Sequence, residues 1–501
     1  MTSRPRFLLE IVVFCVGMGS LGAEIAAARL LAPWFGDSTI VWANTIATVL
    51  VALSIGYAIG GRLADRNPTM QGMARWVLGA AALLALVPFA AGPFLRLSTQ
   101  AFADLSGGLF VGSLVGVGVL IAVPVLLLGI VSPYAVRLKV EKVGDAGRVA
   151  GRLYAIGTLG SLAGTFASSL LLIPLVGSRR TFLIFALILA VVVLPALGRR
   201  WLFGVVVAAV IAVLVALPVG STKTVTSNGK VIWEKETEYQ YARVIEDSEG
   251  DRVLELNEGQ AVHSVYREDQ YLMGGYWNSM LVLSFTGENM PERVVNLGSA
   301  AGTVPRGLTH YFPDLEVDAV EIDDEVTEVG HELFDSSDEN ITNHTADARP
   351  WLQSQEGTFD SILVDAYHQP YIPFYLTTQE FFEVTLDRLN PGGTVSVNVG
   401  HVPGNDNLEK VLTATMRSVF GDGRVWRDPV DETNTVLLAT KGDFDPRENL
   451  RSADLPAEVR VAADEAADRL EPGLEGGTVY TDDRAPVEWL IDASLAQVAV
   501  E

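Results

Sequence analysis

Long apolar runs, each close to the length of a membrane span, fill the first 219 residues of the chain. A helix needs about 20 apolar residues to cross the ~30 Å hydrocarbon core of a bilayer. Seven runs of roughly that length lie at 7–31, 39–61, 75–95, 109–136, 153–177, 181–198 and 201–218. The first run is too long, and too closely followed by others, for a cleavable signal peptide. The sequence therefore predicts an N-terminal, all-α, multi-spanning membrane domain over 1–219.

Charge divides the 501 residues into two unlike halves. Residues 1–219 hold 16 Lys/Arg and 7 Asp/Glu, a net charge of +9, whereas the remainder holds 20 and 53, a net charge of −33. The whole chain is 49% hydrophobic and 19% charged, which argues against disorder and against an ordinary cytosolic enzyme. Its net charge of −24 argues against nucleic-acid binding. The single Cys15 excludes an intrachain disulfide and a cysteine-based zinc site, and the six histidines show no metal-ligand spacing, so we expect no metal.

Positive charge in the short loops sets the orientation of the membrane half. Lys and Arg concentrate before the first run and in the second, fourth and sixth loops, which predicts a cytoplasmic N-terminus. Seven full crossings would then place the acidic half outside the cell. Small residues recur in two of the runs, at Gly17, Gly19 and Gly22 and at Gly157, Gly160 and Gly164. They favour close helix packing over a transport pathway.

Ionisable groups are costly at membrane depth and are functional candidates there. Glu10, Glu24 and Arg29 lie within or beside the first run. Glu24 is a candidate for holding a cationic substrate near the membrane. The alternative is a structural pair between Glu24 and a neighbouring arginine.

The acidic half divides into two predicted domains. Residues 220–289 form a small β domain, because 229–234, 240–246 and 252–257 alternate like strands. Residues 290–501 form a Rossmann-like α/β domain with a C-terminal tail. Its strand patterns lie at 293–297, 316–322, 360–365 and 394–399, with helices after the first and at 378–389. This alternation predicts a parallel sheet with helices on both faces.

Ligands of such sheets bind beyond the carboxyl ends of the strands. The candidates there are the loop Gly298–Gly302, Glu321, Asp347 and Asp365. A glycine-rich turn lets a cofactor approach the backbone, and an acid that ends the second strand accepts from the hydroxyls of a ribose. The loop lacks the G-x-G-x-x-G spacing of dinucleotide sites, so a mononucleoside cofactor is favoured over NAD. The alternative is a packing turn beside a solvated acid.

Asp365 ends the apolar strand of residues 361–364, where partial burial would raise its pKa into a range useful for a base. The next residues, 366–375, are aromatic and proline-rich, which indicates a loop that covers a substrate. Its candidate contacts to a cationic acceptor are Tyr367, His368 and Tyr371. The alternative is a loop folded onto its own core.

Together these motifs resemble the spermidine/spermine synthase family of aminopropyltransferases, especially members fused to an N-terminal multi-spanning membrane domain. The resemblance covers about 230–440 and the membrane segment that begins at 151–160. It implies a fold like that of S-adenosylmethionine methyltransferases and makes Asp365 the catalytic base. The residues that match the family's donor-binding motifs are Gln240, His263, Gly298, Ser299, Gly302, Glu321, Ile322, Asp347 and Ala348. Tyr271 and Tyr276, the candidates for acceptor binding, lie in the segment 271–277, which stands where the family has its acceptor-binding segment.

The resemblance implies that decarboxylated S-adenosylmethionine is the co-substrate, whose aminopropyl group passes to an amine as methylthioadenosine leaves. Three departures stand out. Ala301 stands where the family has an aspartate in the glycine loop. The family also has a second acid shortly after the catalytic one, which is missing from residues 367–369. Its Tyr-His-Glu segment is replaced here by residues 271–277. The lost acids and the fused membrane half favour an amine or hydroxyl acceptor that is bulkier or lipid-borne. A soluble polyamine remains the alternative.

Two other functions stay open. One is an S-adenosylmethionine-dependent methyltransferase, because the fold serves both reactions and Ala301 removes a group that favours the decarboxylated donor. The other is a polyamine transporter or sensor with an inactive domain, against which the intact Glu321 and Asp365 argue. The acid surplus of the soluble half indicates solvated faces or, alternatively, attraction of cationic substrates.

The resemblance also implies a multi-pass protein of the cell membrane with a cytoplasmic soluble half, and a homodimer. A cytoplasmic soluble half requires that one of the seven runs does not fully cross. If all seven cross, the compartment expected for the donor is wrong.

Overall fold

The computed structural model describes residues 7–36, 39–102, 108–217, 229–257, 261–367 and 371–498. Two compact units emerge from it. One holds the helices of the N-terminal half and the short segment Lys235–Tyr241. The other holds residues 229–234 and the described residues from Ala242 onward.

In the described part of the first unit the chain forms nine α-helices. They are α1 (Leu8–Phe35), α2 (Thr39–Arg66), α3 (Met70–Phe102), α4 (Gly108–Leu120), α5 (Ala122–Gly129), α6 (Val131–Lys139), α7 (Ala146–Ala167), α8 (Ile173–Val192) and α9 (Trp201–Ala216). Within 7–217, apart from the undescribed 37–38 and 103–107, six helical segments are long and apolar enough to cross a membrane. The predicted helical N-terminal half is therefore confirmed as a fold.

One of the six segments, Val143–Ala196, has 54 residues, about 80 Å of straight helix and more than twice a bilayer core. It is not straight, because Gly177 adopts φ 82° and ψ 163° and breaks the helix. The two parts correspond to the predicted runs 153–177 and 181–198. The predicted run 109–136 is instead divided among α4, α5 and α6.

Glycines bring α1 and α7 into backbone contact. A Cβ added at Gly160 would overlap the carbonyl oxygen of Phe14, and one at Gly164 would overlap that of Met18. Gly17 lies equally close to the backbone of Gly157. The small-residue stripes thus do what the sequence indicated, since only glycine allows these axes to approach so closely.

The ionisable groups of α1 have different partners. Glu10 is 8% exposed and forms ion pairs with Lys139 and with Arg152, the latter at 3.1 Å. Arg29 donates to the backbone carbonyls of Tyr239, at 2.6 Å, and Glu238. Glu24, also 8% exposed, makes no hydrogen bond or ion pair with any described residue. Pairing of Glu24 with an arginine is therefore not found among the described residues.

Among the residues that the structure describes, the acidic half forms a four-stranded and an eight-stranded sheet. The strands are β1 (Lys230–Glu236), β2 (Tyr241–Glu246), β3 (Arg252–Leu256), β4 (Val262–Tyr266), β5 (Arg293–Leu297), β6 (Glu316–Glu321), β7 (Ile341–Thr345), β8 (Phe359–Val364), β9 (Leu389–Gly400), β10 (Val425–Pro429), β11 (Asn434–Thr440) and β12 (Glu471–Pro472). The helices are α10 (Gly275–Leu283), α11 (Thr303–Tyr311), α12 (Asp324–Leu333), α13 (Ala348–Ser354), α14 (Gln379–Arg388), α15 (Asn407–Phe420), α16 (Pro446–Ser452), α17 (Ala457–Arg469) and α18 (Val487–Val498).

The large sheet has the order β12-β10-β11-β9-β8-β5-β6-β7. Strands β5 to β9 pair in parallel, as the alternation of strands and helices predicted. The prediction was incomplete at one edge, where β11 pairs antiparallel with both β9 and β10. Only four residues join β10 to β11, and so short a connection permits only an antiparallel hairpin.

Apolar side chains cover both faces of this sheet. One buried cluster joins β8 and β9 to α14 and α15, with Phe381, Phe382 and Leu412 at its centre. The other joins β5 and β11 to α10 and α17. The small sheet β1–β4 packs its own apolar face, including Val244 and Leu254, on α12. The helices on both faces of the large sheet confirm that part of the predicted fold.

Candidate active site

A crevice opens where the order of the parallel strands reverses. Strand β5 pairs with β6 on one side and with β8 on the other, so the chain leaves β5 and β8 in different directions. Ligands of doubly wound sheets bind at such a switch point. The loop Gly298–Gly302 follows β5, and Asp365 follows β8. The backbone N–H of Asp365 donates to the carbonyl of Leu297 at 2.8 Å, which ties the two strand ends together.

The glycine loop needs glycine at its first position. Gly298 has φ 83°, and a Cβ there would overlap the backbone of Ala366. The N–H groups of Gly298 and Ser299 both donate to the carbonyl of Val320, at 2.8 and 3.1 Å. Gly302, with φ 87°, is the N-cap residue of α11. The loop is thus a tight turn that follows β5 and is hydrogen-bonded to the end of β6.

Ala301, which replaces the family's aspartate, is buried in the apolar cluster under the small sheet and is 1% exposed. Its neighbour Ala300 lines the cavity described below. No carboxylate therefore reaches the cavity from this loop.

Glu321 ends β6 and is 9% exposed. Its carboxylate accepts from the backbone N–H groups of Ala300 and Ile322, each at 2.9 Å, and of Asp323 at 3.2 Å. Burial raises the pKa of Glu321 to about 7. One carboxylate oxygen binds the glycine loop at Ala300 and the other binds the backbone just after β6, so Glu321 fixes the loop to the end of its own strand.

Asp347 follows β7 and caps α13, whose first residue is Ala348. It accepts from the N–H of Arg349 at 3.2 Å and from the hydroxyl of Tyr375 at 3.0 Å. The structure thus places the predicted nucleoside-binding groups at the carboxyl ends of β5, β6 and β7.

A cavity of about 580 Å³ lies beside Asp365. Five residues predicted for the site, or adjacent to it in sequence, line this cavity: His263, Tyr276, Ala300, Asp365 and Tyr367. Lysine and arginine are absent from the described residues of its lining. This volume is in the range of small-molecule sites, and its lining favours cations over anions.

The Asp365 carboxylate is held by a neutral donor. Its Oδ1 accepts from Asn398 Nδ2 at 2.8 Å, and Asn398 Oδ1 in turn accepts from Asn434 Nδ2 at 3.0 Å. Burial raises the pKa of Asp365 to about 7, although the hydrogen bond from Asn398 opposes that rise. A carboxylate with this pKa can accept a proton near neutral pH.

Two tyrosines flank Asp365. The Tyr367 hydroxyl donates to the carbonyl of Asn398 at 3.1 Å and accepts from the N–H of Gly400. The ring of Tyr276 packs against Trp277, with 4.5 Å between ring centroids. Burial raises the pKa of both tyrosines, so both hydroxyls stay neutral.

Other predicted residues lie away from the cavity lining. Tyr271 stacks on His310 with 3.4 Å between ring centroids, and the guanidinium of Arg306 lies 4.2 Å from its ring. Tyr371 is 2% exposed. Gln240 lies in the segment grouped with the helical unit, where its N–H donates to Thr237 Oγ1 at 3.0 Å. His368 is outside the described residues.

Sequence reasoning missed one wall of the cavity. It consists of Asn398, His401, Asp431, Thr433 and Asn434, from the end of β9 and the β10–β11 turn. Asn398 and His401 could have been predicted from the sequence. They lie at the carboxyl end of the predicted strand 394–399, where ligands of such sheets bind. The last three required the β10–β11 hairpin, which was not predicted.

Comparison with known proteins agrees with the motifs. No protein-family model matches the chain. The chain is 31% identical to a probable polyamine aminopropyl transferase of Bifidobacterium longum over 54% of this chain and 64% of that protein. It is 27% identical to a polyamine aminopropyltransferase of Corynebacterium efficiens over 84% of this chain and 82% of the relative.

This chain is related to the polyamine aminopropyltransferases. Since the match to the Corynebacterium protein covers 84% of the chain, it extends into the helical half as well. The chain spans less than two thirds of the length of the Bifidobacterium relative. A crystal structure of a probable spermidine synthase from Corynebacterium glutamicum aligns with a TM-score of 0.38 at 22% identity, covering 50% of this chain and 98% of that one.

Proposed function

We propose that the chain is an aminopropyltransferase that moves the aminopropyl group of decarboxylated S-adenosylmethionine to an amine. The observation that carries the proposal is the Asp365 carboxylate, which has a pKa of about 7 and lies in a cavity without lysine or arginine among its described lining. The named relatives support the same reaction. The structure and the relationship therefore favour one chemistry.

The reaction is a displacement at carbon. The lone pair of a neutral amine nitrogen forms the new N–C bond to the propyl carbon next to the sulfonium. The C–S bond breaks, its electron pair returns to sulfur, and methylthioadenosine leaves as a neutral thioether. Asp365 accepts the proton that the nitrogen loses, and Asn398 keeps the carboxylate in place.

The donor's nucleoside is assigned to the strand ends next to the cavity. Gly298–Gly302, Glu321 and Asp347 lie at the ends of three adjacent strands, which is the arrangement that ligands of this fold use. Gln240, His263, Ser299, Ile322 and Ala348 are assigned to the donor by the family resemblance. Tyr276 and Tyr367 supply neutral hydroxyls and π faces beside Asp365, which suits the positively charged sulfonium.

The test is product release by the purified full-length protein in detergent. Incubation with decarboxylated S-adenosylmethionine and an amine should release methylthioadenosine, and Asp365→Asn should not. Intact S-adenosylmethionine serves as the second donor, because Ala301 in place of an aspartate favours a methyltransferase alternative. Tighter binding of the intact donor, together with methyl transfer, would replace the proposal. Lipid acceptors form a third arm, and release only with these would change the acceptor class.

We further propose that the protein is a multi-pass membrane protein whose acidic half faces the cytoplasm, where the donor would be available. The six apolar segments of the described N-terminal half support membrane insertion.

The orientation can be tested with cysteine labelling, since Cys15 is the only cysteine. In a Cys15→Ser background, Gly250→Cys in the exposed β2–β3 turn should react with a membrane-impermeant maleimide only after lysis. Labelling of intact cells would place the acidic half outside.

A further inference from the structure

A second cavity lies within the helical half, lined by residues of α1, α2, α5, α6 and α7. Its volume is about 140 Å³. The lining residues of α1 run from Val13 to Leu21, which is about 12 Å of helix. A cavity of about 150 Å³ in another protein holds a molecule of benzene. The cavity in the helical half therefore has room for a small molecule, and its extent along α1 favours a linear one.

Several hydroxyl groups of this lining are unpaired. Ser20 is 4% exposed, and its Oγ has no hydrogen-bond partner among the described residues. Serine and threonine in helices commonly donate to the carbonyl four residues earlier, as Thr45 does to Val41 at 2.8 Å. The lining hydroxyls that make no hydrogen bond to any described residue are those of Ser20, Tyr57, Ser132, Tyr154 and Thr158. They are available to a molecule in the cavity.

Glu24 lies on the face of α1 that lines the cavity. With about 3.6 residues per turn, it follows Ser20 by one turn and Gly17 by two, and both of these residues line the cavity. Its side chain is buried and has no hydrogen bond or ion pair with any described residue. Lysine and arginine are also absent from the described lining. Because a buried carboxylate without a cation is costly, Glu24 is a candidate for binding a cation that the chain itself does not supply.

The cavity has an exposed end and a buried end. Gly160 and Gly164 of α7 lie against successive turns of α1, so the two helices run parallel. Tyr154, six residues before Gly160, therefore lies toward the start of α1 and away from Glu24. Tyr154 is 58% exposed, whereas Glu24 is buried. Leucine and valine side chains from all five helices also line the cavity. This arrangement suits a molecule with a cationic end beside Glu24 and an apolar chain that reaches toward Tyr154.

We propose that this cavity binds a linear alkylammonium ion, with the ammonium group on Glu24 and Ser20 and the hydrocarbon chain against the leucine and valine side chains. The ammonium group neutralises the carboxylate and donates to it and to the serine hydroxyl. If the ligand is a diamine, its second ammonium group lies beside the rings of Tyr57 and Tyr154, whose faces attract cations.

The proposal gives the helical half a ligand-binding role of its own. It does not depend on the proposed aminopropyl transfer, since this cavity shares no lining residue with the one beside Asp365. The alternative is a water-filled cavity beside a Glu24 side chain that is protonated and purely structural.

The experiment measures amine binding by equilibrium dialysis on the full-length protein in detergent. An Asp365→Asn background removes the carboxylate of the other cavity from every sample. The probes are labelled 1-aminobutane and 1,4-diaminobutane, with 1-butanol as a neutral competitor of similar size and sodium as an inorganic one. Glu24→Gln removes the charge at nearly constant volume. Its matched control is Glu141→Gln, since Glu141 is an exposed acid of the same half and lies outside the cavity lining.

We expect Glu24→Gln to weaken amine binding at least tenfold, because removing one partner of a buried ion pair leaves the other uncompensated. Ser20→Ala should weaken it about threefold through the loss of one hydrogen bond, and it tests the same site if Glu24→Gln does not fold. Glu141→Gln should bind like the parent protein, and 1-butanol should not compete. The amine that binds more tightly identifies the ligand as a monoamine or a diamine, and either supports the proposal.

An unchanged amine affinity in Glu24→Gln or in Ser20→Ala would overturn the proposal, and so would equal losses in Glu24→Gln and Glu141→Gln. Displacement of the amine by 1-butanol would show that the charge of the ligand does not matter. Absence of amine binding by the parent protein, with sodium binding that Glu24→Gln abolishes, would assign the site to an inorganic cation instead.

Discussion

The two halves of the chain both depend on glycine, but for different purposes. In the helical half, Gly160 and Gly164 form a stripe on α7 that lets it contact the backbone of α1. In the acidic half, Gly298 has a positive φ, and its missing Cβ lets the ends of β5 and β8 meet beside Asp365. A repeated glycine at helical spacing therefore indicates packing, whereas one glycine at a strand end indicates a site.

A second contrast lies between the ion-paired Glu10 of the helical half and two buried carboxylates of the candidate site. Glu10 in the helical half is matched by the cations Lys139 and Arg152. Asp365 and Glu321 in the acidic half are held by neutral N–H donors, and burial raises the pKa of each to about 7. An ion pair fixes the charge of a carboxylate, whereas neutral donors leave it able to exchange a proton near pH 7.

The sharpest test of this contrast exchanges one carboxylate in each half. Asp365→Asn should lower kcat for aminopropyl transfer by about 10³-fold, the scale of a lost general base. Glu10→Gln should lower stability in detergent but leave kcat within about twofold. Turnover assays with both variants measure these two effects. Equal losses of kcat would contradict the interpretation that Glu10 is held in an ion pair while Asp365 exchanges a proton.

The pH dependence of turnover should reveal the same carboxylate. Since a base must be deprotonated, kcat/KM should rise about tenfold per pH unit below about 7 and level off above, following the pKa of Asp365. Asn398 stabilises the charged form, so Asn398→Ala should move this limb to higher pH. A profile that is flat between pH 5 and 8 would remove Asp365 from the role of base.

Paired substitutions on one helix test the packing role of glycine. Gly160→Ala should destabilise the helical half relative to Gly151→Ala by about 1–3 kcal/mol, the usual cost of overpacking. Gly151 lies on the same helix, and a Cβ there meets nothing within 4 Å, so both variants gain equally in helix propensity. Unfolding in detergent measures the difference, and indistinguishable variants would show that the α1–α7 contact is not tight.

The smallest expected effect concerns the acid surplus of the soluble half. If its net charge of −33 serves solubility, raising the salt from 0.05 to 0.5 M should change KM for a diamine by less than about twofold. A rise of tenfold or more would show instead that the surface attracts cationic substrates over a long range. Steady-state kinetics at constant pH distinguish the two interpretations.

Sequence patterns were most informative where one local signal is sufficient. The apolar runs located the helical half, and alternating strands and helices located β5, β6, β8 and the parallel part of β9. The β10–β11 hairpin was missed, because its pairing at the sheet edge depends on contacts distant in sequence. Tyr271 illustrates the same limit, since its stacking on His310 joins two segments that no local pattern relates.

The sequence by itself determined that an apolar helical half precedes an acidic α/β half, and that Gly298, Glu321 and Asp365 follow strands at one edge of a parallel sheet. Hydrophobic periodicity and residue type are local properties, so they can be read without a structure. Only the tertiary structure decided which strands are neighbours. That order also decided the chain of hydrogen bonds that runs from Asp365 through Asn398 and Asn434 to Asp431. Strand order depends on long-range pairing, and the shape of a cavity depends on that order.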